Sequence, residues 1–354
     1  MSRYFNKKYS NLIPYTPGEQ PRDGVLVKLN TNESPFPPSP LAQKLAREAA
    51  GDLNLYSDPE CLDLRNVAAE KLGVDPDELM FTNGSDEILN FAFMAYCSED
   101  CPALFPDITY GFYSIFADQV GVPYRRIPLR ENFVLSVDDY IGVPGTVVLA
   151  NPNAPTCLAL PLSEIERLVA ANPERMVIID EAYVDFGTES ALKLIKKYPN
   201  LLVCRTFSKS YSLAGARLGF GAGDKALIAD LNTLRYSSTP YNVNRMTIGA
   251  GIGALLDEDY FRGNLQRIIE ARTFSMEQMR LRGFELTDSK TNFLFVRHPK
   301  ISGKELFLEL RKRGVLTRHF DTDLTRDYLR ITVGTREQMD VLLAAVDNIL
   351  EARA

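Results

Sequence analysis

Histidine and cysteine are scarce in this chain of 354 residues, which contains two histidines and five cysteines. The odd number and scattered positions of the cysteines are typical of reduced thiols in a cytosolic protein. Cys97 and Cys101 could form half of a metal site at one end of a helix, but no second cysteine pair accompanies them. Because a structural zinc site needs four ligands, we predict no bound metal.

Basic stripes and long apolar segments are also absent. The formal net charge is -6 and the isoelectric point is about 5.3, which argues against a nucleic-acid partner. No stretch approaches the roughly 20 apolar residues of a membrane span, and the N-terminal sequence MSRYFNKKYS lacks the apolar core of a signal peptide. The composition therefore predicts a cytoplasmic protein that acts on small molecules.

The most informative feature that is present is a lysine between an apolar strand and a turn of small residues. In residues 201–221, LLVCRTFSKSYSLAGARLGFG, Lys209 follows the strand and the turn ends at Arg217. Partial burial and a nearby cation both disfavour the charged form of an amine, and a neutral amine can form a Schiff base. Thr206, Ser208 and Arg217 are donors suited to a phosphate. A phosphate beside such a lysine suggests pyridoxal phosphate as cofactor.

A second segment, MVIIDEAY at residues 176–183, ends an apolar strand in acidic residues. Open α/β sheets bind their ligands at this carboxyl edge. Asp180 could pair there with a protonated pyridine nitrogen and keep the ring an electron sink. Tyr183, three residues further on, could donate to the phenolic oxygen of the ring. Without Lys209, the same pattern would indicate a capping aspartate and a core tyrosine.

A third segment, LMFTNGSDE at residues 79–87, passes from a strand through Gly84 into the start of a helix. The free N–H groups and the dipole of a helix start form an anion site, although an ordinary helix cap has the same pattern. The turn lacks the spacing GxGxxG, which argues against an oxidoreductase that uses NAD.

The order of the elements predicts the fold class. Short apolar strands alternate with helical segments up to residue 204, which indicates an α/β fold with a mixed, mostly parallel sheet covered by helices. Residues 1–40 are rich in proline and should form an extended arm. The composition changes after Tyr236, and the chain is longer than most single cores. We therefore predict an arm at 1–40, a large cofactor-binding domain at 41–253 and a smaller α+β domain at 254–354.

These segments together resemble the aspartate aminotransferase superfamily of fold-type I enzymes, which depend on pyridoxal phosphate. Within it, the sequence is most similar to the histidinol-phosphate aminotransferase family. The resemblance covers essentially the whole chain through LNTNESP (29–35), YSDP (56–59), NGSDE (83–87), FPDITYGFY (105–113), NPNAPT (151–156), IIDEAY (178–183), TFSKSYSLAGARLGF (206–220) and YLRITVGTRE (328–337). Several of these motifs are weak individually, but their order and spacing are specific.

The resemblance implies a role for each matching position. Lys209 would bind the cofactor covalently, Asp180 would bind its pyridine nitrogen and Tyr183 its ring oxygen. The remaining cofactor contacts would be Tyr110 stacked on the ring, and Gly84, Ser85, Asp86, Thr206, Ser208 and Arg217 around the phosphate. Tyr56 would reach that phosphate from the other subunit of a homodimer with shared active sites, and Tyr15 also matches a position that enters the neighbouring site.

Two departures from the family pattern fall in the motif NPNAPTC at residues 151–157. Ala154 stands where an asparagine usually contacts the ring oxygen, so either Tyr183 makes that contact alone or Asn153 substitutes. Cys157 replaces a glycine of the turn. A left-handed backbone at that position would cost a residue other than glycine roughly 1 kcal/mol or more.

The resemblance also places the substrate. Arg330 matches the arginine that binds the acidic end of the substrate, and a guanidinium suits carboxylate and phosphate alike. Arg318 matches a second arginine of histidinol-phosphate aminotransferases, and two guanidinium groups suit a phosphate monoester better than a carboxylate. Tyr15 and Asn32 match residues of the arm that close over the substrate. Each of these residues could instead be a surface or packing group.

The function that these features predict is transfer of an amino group between histidinol phosphate and 2-oxoglutarate, in histidine biosynthesis. Three alternatives remain open at this point. The chain could transaminate aromatic amino acids through Arg330 alone, or decarboxylate phosphothreonine, or keep the fold as a binding protein without turnover. The complete set of Lys209, Asp180 and Tyr183 argues against the last alternative.

Overall fold

A computed structural model describes residues 2–10, 12–20 and 26–353, so residues 1, 11 and 21–25 of the predicted arm and residue 354 lie outside the described part. The helices are α1 Pro40–Ala49, α2 Leu62–Leu72, α3 Ser85–Tyr96, α4 Phe112–Val120, α5 Leu162–Ala171, α6 Lys225–Ser238, α7 Arg245–Leu256, α8 Glu258–Leu281, α9 Gly303–Lys312 and α10 Arg336–Glu351. The strands are β1 Val27–Lys28, β2 Leu79–Thr82, β3 Ala103–Pro106, β4 Tyr124–Ile127, β5 Thr146–Ala150, β6 Val177–Asp180, β7 Leu201–Thr206, β8 Gly219–Gly223, β9 Glu285–Leu286, β10 Phe293–Arg297, β11 Val315–Leu316, β12 Arg318–His319 and β13 Tyr328–Thr332.

A sheet of seven strands forms the centre of the large domain, in the order β2-β8-β7-β6-β5-β3-β4. Strands β3 to β7 run parallel, and β8 is antiparallel to both of its neighbours. The apolar runs of β5 and β6 are buried along their whole length, as expected of strands covered on both faces. The prediction of a mixed, mostly parallel sheet is confirmed.

Alternate residues of the central strands pack on opposite faces of this sheet. Ile179 and Val203 belong to a core that includes residues of α2, α5 and α7. Ile178 and Leu202 belong to a separate core with residues of α3, α4 and α6. This alternation follows from the pleat of a strand, and it also determines which side of the sheet receives each residue at the strand ends.

The C-terminal part of the chain forms an antiparallel sheet in the order β12-β13-β10-β9, with its own apolar core. The arm contributes to this part, because β1 pairs in parallel with β11 through Val27 and Val315. The arm is therefore not simply an extended segment, as the prolines alone suggested. The predicted domain boundary at residue 253 falls inside α7.

Two elements of the large domain were not predicted from the sequence, β8 and α6. The strand β8 has the sequence GFGAG, and its glycines hide the apolar pattern of a strand.

Among the described helices, none is both long and apolar enough to cross a membrane.

Candidate active site

Parallel strands bring the predicted catalytic residues to one edge of the central sheet. Asp180 is the last residue of β6, and it pairs in register with Ala150 on one side and Cys204 on the other. Lys209 follows the end of β7 by three residues. A cavity of about 200 Å³ opens at this edge, lined by Thr31, Glu33, Ser85, Asp86, Tyr110, Ala150, Ala154, Asp180, Ala182, Tyr183, Thr206, Ser208, Lys209, Ala214 and Arg217.

The carboxylate of Asp180 is buried, with 5% of the residue exposed. Its Oδ2 accepts a hydrogen bond from the Tyr113 hydroxyl at 3.0 Å, and its Oδ1 accepts one from the backbone N–H of Ala182 at 3.2 Å. Burial raises the pKa of this carboxyl group to about 6, although the bond from Tyr113 opposes the shift. The site therefore contains a carboxylate that a cationic ligand would stabilise.

Lys209 and Tyr183 lie on the other side of the cavity. The Lys209 Nζ donates to the Thr31 carbonyl at 3.5 Å and lies 5.8 Å from the centre of the Tyr183 ring. The Tyr183 hydroxyl oxygen accepts a hydrogen bond from the Asn32 amide at 3.0 Å. Because Asn32 is the donor in that contact, the hydroxyl proton of Tyr183 remains available to a ligand in the cavity.

Glycines shape the part of the cavity next to the start of α3. Gly84 has a φ of +82°, and a Cβ there would meet the Arg217 guanidinium at 2.5 Å. A Cβ on Gly219 would meet the backbone nitrogen of Ser85 at 2.3 Å. Only glycine at both positions lets the helix start and Arg217 approach this closely, and together they form a concave surface of N–H donors that suits an anion.

Side chains around this surface are linked to one another. Arg217 donates to Ser208 Oγ at 3.3 Å and to Asp86 Oδ2 at 3.3 Å. The Tyr110 hydroxyl donates to the other oxygen of Asp86 at 2.8 Å. The Thr206 hydroxyl oxygen accepts from the Ser208 backbone N–H at 3.1 Å. The structure thus brings the predicted phosphate contacts and the predicted stacking residue together.

Asn153 does not reach this cavity, so the structure does not support its predicted contact with the cofactor. Its amide donates to the Ile108 carbonyl and to Thr156 Oγ1, each at 2.9 Å, and its oxygen accepts from Thr109 at 2.7 Å. These bonds use both N–H groups of the amide, one within its own turn and one toward the segment after β3. Ala154 does line the cavity, but its side chain has no hydrogen-bond donor. Of the two predicted alternatives, Tyr183 is therefore the residue in the cavity lining that can donate.

Cys157 adopts the left-handed backbone that the family pattern led us to expect, with a φ of +68°. Its thiol donates to the Phe293 carbonyl at 3.3 Å, and its own carbonyl accepts from the Lys290 N–H at 3.0 Å. These two hydrogen bonds join the large domain to strand β10 and to the loop that precedes it. They offset part of the cost of the left-handed conformation.

Arg318 and Arg330 lie directly opposite each other on β12 and β13. The Phe320 ring is 5.6 Å from the Arg318 guanidinium and 5.4 Å from that of Arg330. Burial lowers the pKa of Arg330, and its buried Nε has no hydrogen-bond partner among the described residues. Like charges placed opposite each other are destabilising without an anion between them, so the pair is a candidate anion site.

The remaining predicted residues lie in different places. Asn32 is behind Tyr183, where Thr332 Oγ1 donates to its side-chain oxygen at 3.1 Å. Tyr15 is 42% exposed and packs on the Phe112 ring of the same chain, with centroids 4.5 Å apart. Tyr56 is 79% exposed and stacks on Tyr241, far from the lining of the cavity.

Sequence reasoning missed Tyr113, which orients the Asp180 carboxylate. The signal was present, because Tyr113 follows Tyr110 by three residues in FPDITYGFY, and that spacing places both side chains on one face of a helix start. The two rings are in contact edge to face, with centroids 5.6 Å apart.

Comparison with known proteins identifies the family. The model of the family "Aminotransferase class I and II" matches residues 25–346. The histidinol-phosphate aminotransferase of Brachyspira hyodysenteriae is 43% identical over 353 residues, covering 99% of this chain and 100% of the relative. The enzyme of the same name from Acetobacter pasteurianus is 44% identical over 351 residues, covering 99% of both chains.

The fold agrees with a solved structure of the same family. The histidinol-phosphate aminotransferase of Sinorhizobium meliloti, crystallised in complex with pyridoxal 5'-phosphate, superposes with a TM-score of 0.91 over 100% of this chain and 99% of that one, at 24% identity. At this identity, the likeness supports the fold alone. On the strength of the family match and the full-length relatives, the chain belongs to the class I and II aminotransferases, and within them to the histidinol-phosphate aminotransferases.

Proposed function

We propose that this chain uses pyridoxal phosphate to transfer an amino group between L-histidinol phosphate and 2-oxoglutarate, which gives imidazole-acetol phosphate and glutamate in histidine biosynthesis. The observation that carries the proposal is one cavity edge that combines the buried carboxylate of Asp180, the amine of Lys209 and a surface of N–H donors. The five free cysteines agree with a cytoplasmic location.

The residues of the cavity fit pyridoxal phosphate. Asp180 would hold the ring nitrogen, because its buried carboxylate is bonded to neutral donors and is stabilised by a cation. A Cβ on Gly84 or Gly219 would clash with Arg217 or with the backbone of Ser85, so glycine at both positions preserves the surface that would hold the phosphate, and Arg217 would supply the opposite charge. When bound, the cofactor supplies an electrophilic carbonyl carbon and a ring that withdraws electrons.

The chain itself would supply the proton transfer. Lys209 would take a proton from the substrate carbon as general base and would then, as general acid, deliver that proton to the cofactor. The bond from its Nζ to the Thr31 carbonyl keeps the amine at the wall of the cavity. Tyr183 would donate its free hydroxyl proton to the ring oxygen, alone on that side because Ala154 has no donor.

The two opposed arginines would bind the phosphate of the substrate. Arg330 donates to the Asn30 carbonyl at 2.9 Å, and Arg318 donates to the carbonyls of Thr16 at 3.0 Å and Pro17 at 3.3 Å. All three acceptors are neutral, so the positive charges are free to attract an anion. The contacts of Arg318 also suggest a second use, because they attach the arm to β12.

The proposal includes a homodimer in which Tyr56 completes the neighbouring cofactor site. Tyr56 lies on an exposed apolar patch, together with Leu53, Leu55, Tyr241 and Met246, and exposed patches of this kind mark protein interfaces. Its hydroxyl would reach the partner's phosphate surface. Tyr15, by contrast, would serve the site of its own chain.

Lys209→Ala should abolish the covalent link to the cofactor. The purified wild-type protein should be yellow and, after treatment with borohydride, should retain the cofactor under denaturing conditions, because reduction makes an imine link permanent. Lys209→Ala should retain none, and Lys225→Ala, a change at an exposed lysine, should behave as wild type. Mass spectrometry of the reduced proteins measures the result. Retention of reducible cofactor by the Lys209 variant would refute its assignment.

Arg318→Ala should weaken the reaction with histidinol phosphate far more than that with phenylalanine. Loss of one bond to a charged group costs about 1.5–3 kcal/mol, or roughly ten- to a hundred-fold in kcat/KM. Arg330→Ala should impair both substrates, because it would bind the acidic group of each.

The assay follows amino transfer to 2-oxoglutarate, with phosphothreonine and carbon dioxide release measured in parallel. Equal losses for both amino donors at Arg318 would mean that this arginine only attaches the arm. Carbon dioxide release from phosphothreonine as the main reaction would identify a decarboxylase instead.

Two inactive variants should complement each other if the active site is shared. In a mixed dimer of Lys209→Ala and Tyr56→Ala chains, one site has both Lys209 and the partner's intact residue 56. With equal amounts of freely exchanging chains, about a quarter of the wild-type sites should return. Lys209→Ala mixed with Tyr15→Ala should recover no activity, because Tyr15 serves its own chain. Full exchange without recovery in the first mixture would rule out the shared site.

A further inference from the structure

Three residues that line the cavity each have a sequence neighbour that does not line it. Glu181 follows Asp180, Arg205 precedes Thr206, and Ser210 follows Lys209. Asp180 contacts Tyr113, which belongs to the core on the α3 and α4 side. Its neighbour Glu181 therefore points toward the side covered by α2, α5 and α7.

These neighbours form a buried polar cluster around Asp185, which is two residues beyond Tyr183. Asp185 Oδ1 accepts an ion-paired hydrogen bond from the Arg205 guanidinium, and its Oδ2 accepts from the Ser210 hydroxyl at 2.5 Å. Arg205 is 8% exposed and Ser210 is 5% exposed. Both oxygens of Asp185 are thus occupied, one by strand β7 and the other by the loop that carries Lys209.

The guanidinium of Arg205 faces two carboxyl groups, those of Asp185 and Glu181. Burial opposes the charged form of Arg205, but the negative charges of Asp185 and Glu181 more than offset it, so the pKa of Arg205 is raised. Glu181 accepts from the Ser190 hydroxyl and from the Ala191 N–H, both at 2.5 Å, and burial raises its pKa to about 7. Removing one member of a buried ion pair leaves the other uncompensated, so the cluster resists rearrangement.

We propose that Asp185 is a positioning residue that acts through Ser210, holding the loop of Lys209 against strand β7 so that the amine faces the cavity. The inference rests on the function proposed above. Within the loop, Leu213 N–H donates to the Phe207 carbonyl at 3.0 Å and Ser212 N–H donates to the Lys209 carbonyl at 3.2 Å.

The side chains of the loop hold it from two directions. The Ser212 hydroxyl donates to Ser34 of the arm at 2.8 Å, whereas the Ser210 hydroxyl donates to Asp185 on the far side. A lysine side chain has a flexible stem of four carbon atoms. The position of its reactive nitrogen therefore depends on how firmly the backbone of Lys209 is held. Small displacements of a catalytic group reduce the rate strongly, which makes the Ser210 contact functionally important.

The test compares Ser210→Ala with Ser210→Thr, which keeps the hydroxyl, and with the control Ser275→Ala. Ser275 is buried in α8 and donates to the Ala271 carbonyl, so its hydrogen bond is not to a residue of the cluster. The first readout is the rate at which cofactor-free protein captures pyridoxal phosphate in a form that borohydride makes permanent. The second is kcat, KM and the isotope effect with substrate deuterated at the reacting carbon. The third is the Tm of each cofactor-free variant.

Ser210→Ala should slow covalent capture and lower kcat about ten-fold, with KM changed less than about two-fold. The isotope effect should rise, because proton transfer by Lys209 becomes the slow step. Ser210→Thr should restore most of the rate, and Asp185→Asn should reproduce the loss if it folds. A Ser210→Ala protein that matches the control in capture and isotope effect, with only a lower Tm, would overturn the proposal. Failure of the wild type to capture cofactor would instead refute the proposed function.

Discussion

The buried carboxylate of Asp180 is the constraint on which the rest of the site depends. An aspartate at the end of an apolar parallel strand is removed from water, and its pKa rises to about 6 because the charged form loses solvation. The hydroxyl of Tyr113 and the N–H of Ala182 compensate only part of this loss. A cationic ring nitrogen would supply the missing charge, and Lys209 and Tyr183 line the same cavity as Asp180.

The geometry of the sheet explains how one edge can hold the cavity residues on one side and the buried polar cluster around Asp185 on the other. Alternation along β6 and β7 sends Asp180 and Thr206 to the cavity, and sends Glu181 and Arg205 to the opposite side. The antiparallel strand β8 brings Gly219 against the start of α3, which a strand with larger residues could not do. The backbone N–H donors at the start of α3 are therefore held in place by strand pairing, whereas Arg217 adds a side-chain donor.

The sequence predicted the central strands and the main catalytic residues because their signals are local. Strands β5 and β6 are unbroken apolar runs, and Lys209 is recognisable from the hydroxyl and arginine donors around it. The strand β8 could not be predicted, because three of its five residues are glycine and one of its two partners, β2, lies far away in sequence. The pairing of β1 with β11 was also missed, because no sequence signal in the arm indicates that it pairs with a strand almost 290 residues away.

Contacts between side chains were harder to predict than positions. Asn153 was one of two alternatives for the contact that Ala154 cannot make, but both of its amide N–H groups are used by Ile108 and Thr156, which only the folded structure reveals. The pairing of Ser210 with Asp185 depends on a 3-10 turn, Val184–Phe186, whose position the sequence does not specify. Hydrogen bonds of this kind are set by tertiary structure, so sequence pattern gives no signal for them.

The most direct test of this account is the pH dependence of stability of the wild type and of Asp180→Asn, each with and without pyridoxal phosphate. A carboxyl group whose pKa is raised by folding does not destabilise the protein at a pH below its pKa in the unfolded chain. As the pH rises, the destabilisation grows until the pH exceeds the pKa of about 6 in the folded protein. Without cofactor, the free energy of unfolding of the wild type should therefore fall by about 3 kcal/mol relative to Asp180→Asn between about pH 4 and pH 8. With cofactor bound, the wild type should become the more stable protein at pH 8, because the ring nitrogen pairs with Asp180. A difference that is independent of both pH and cofactor would contradict the central role of this carboxylate.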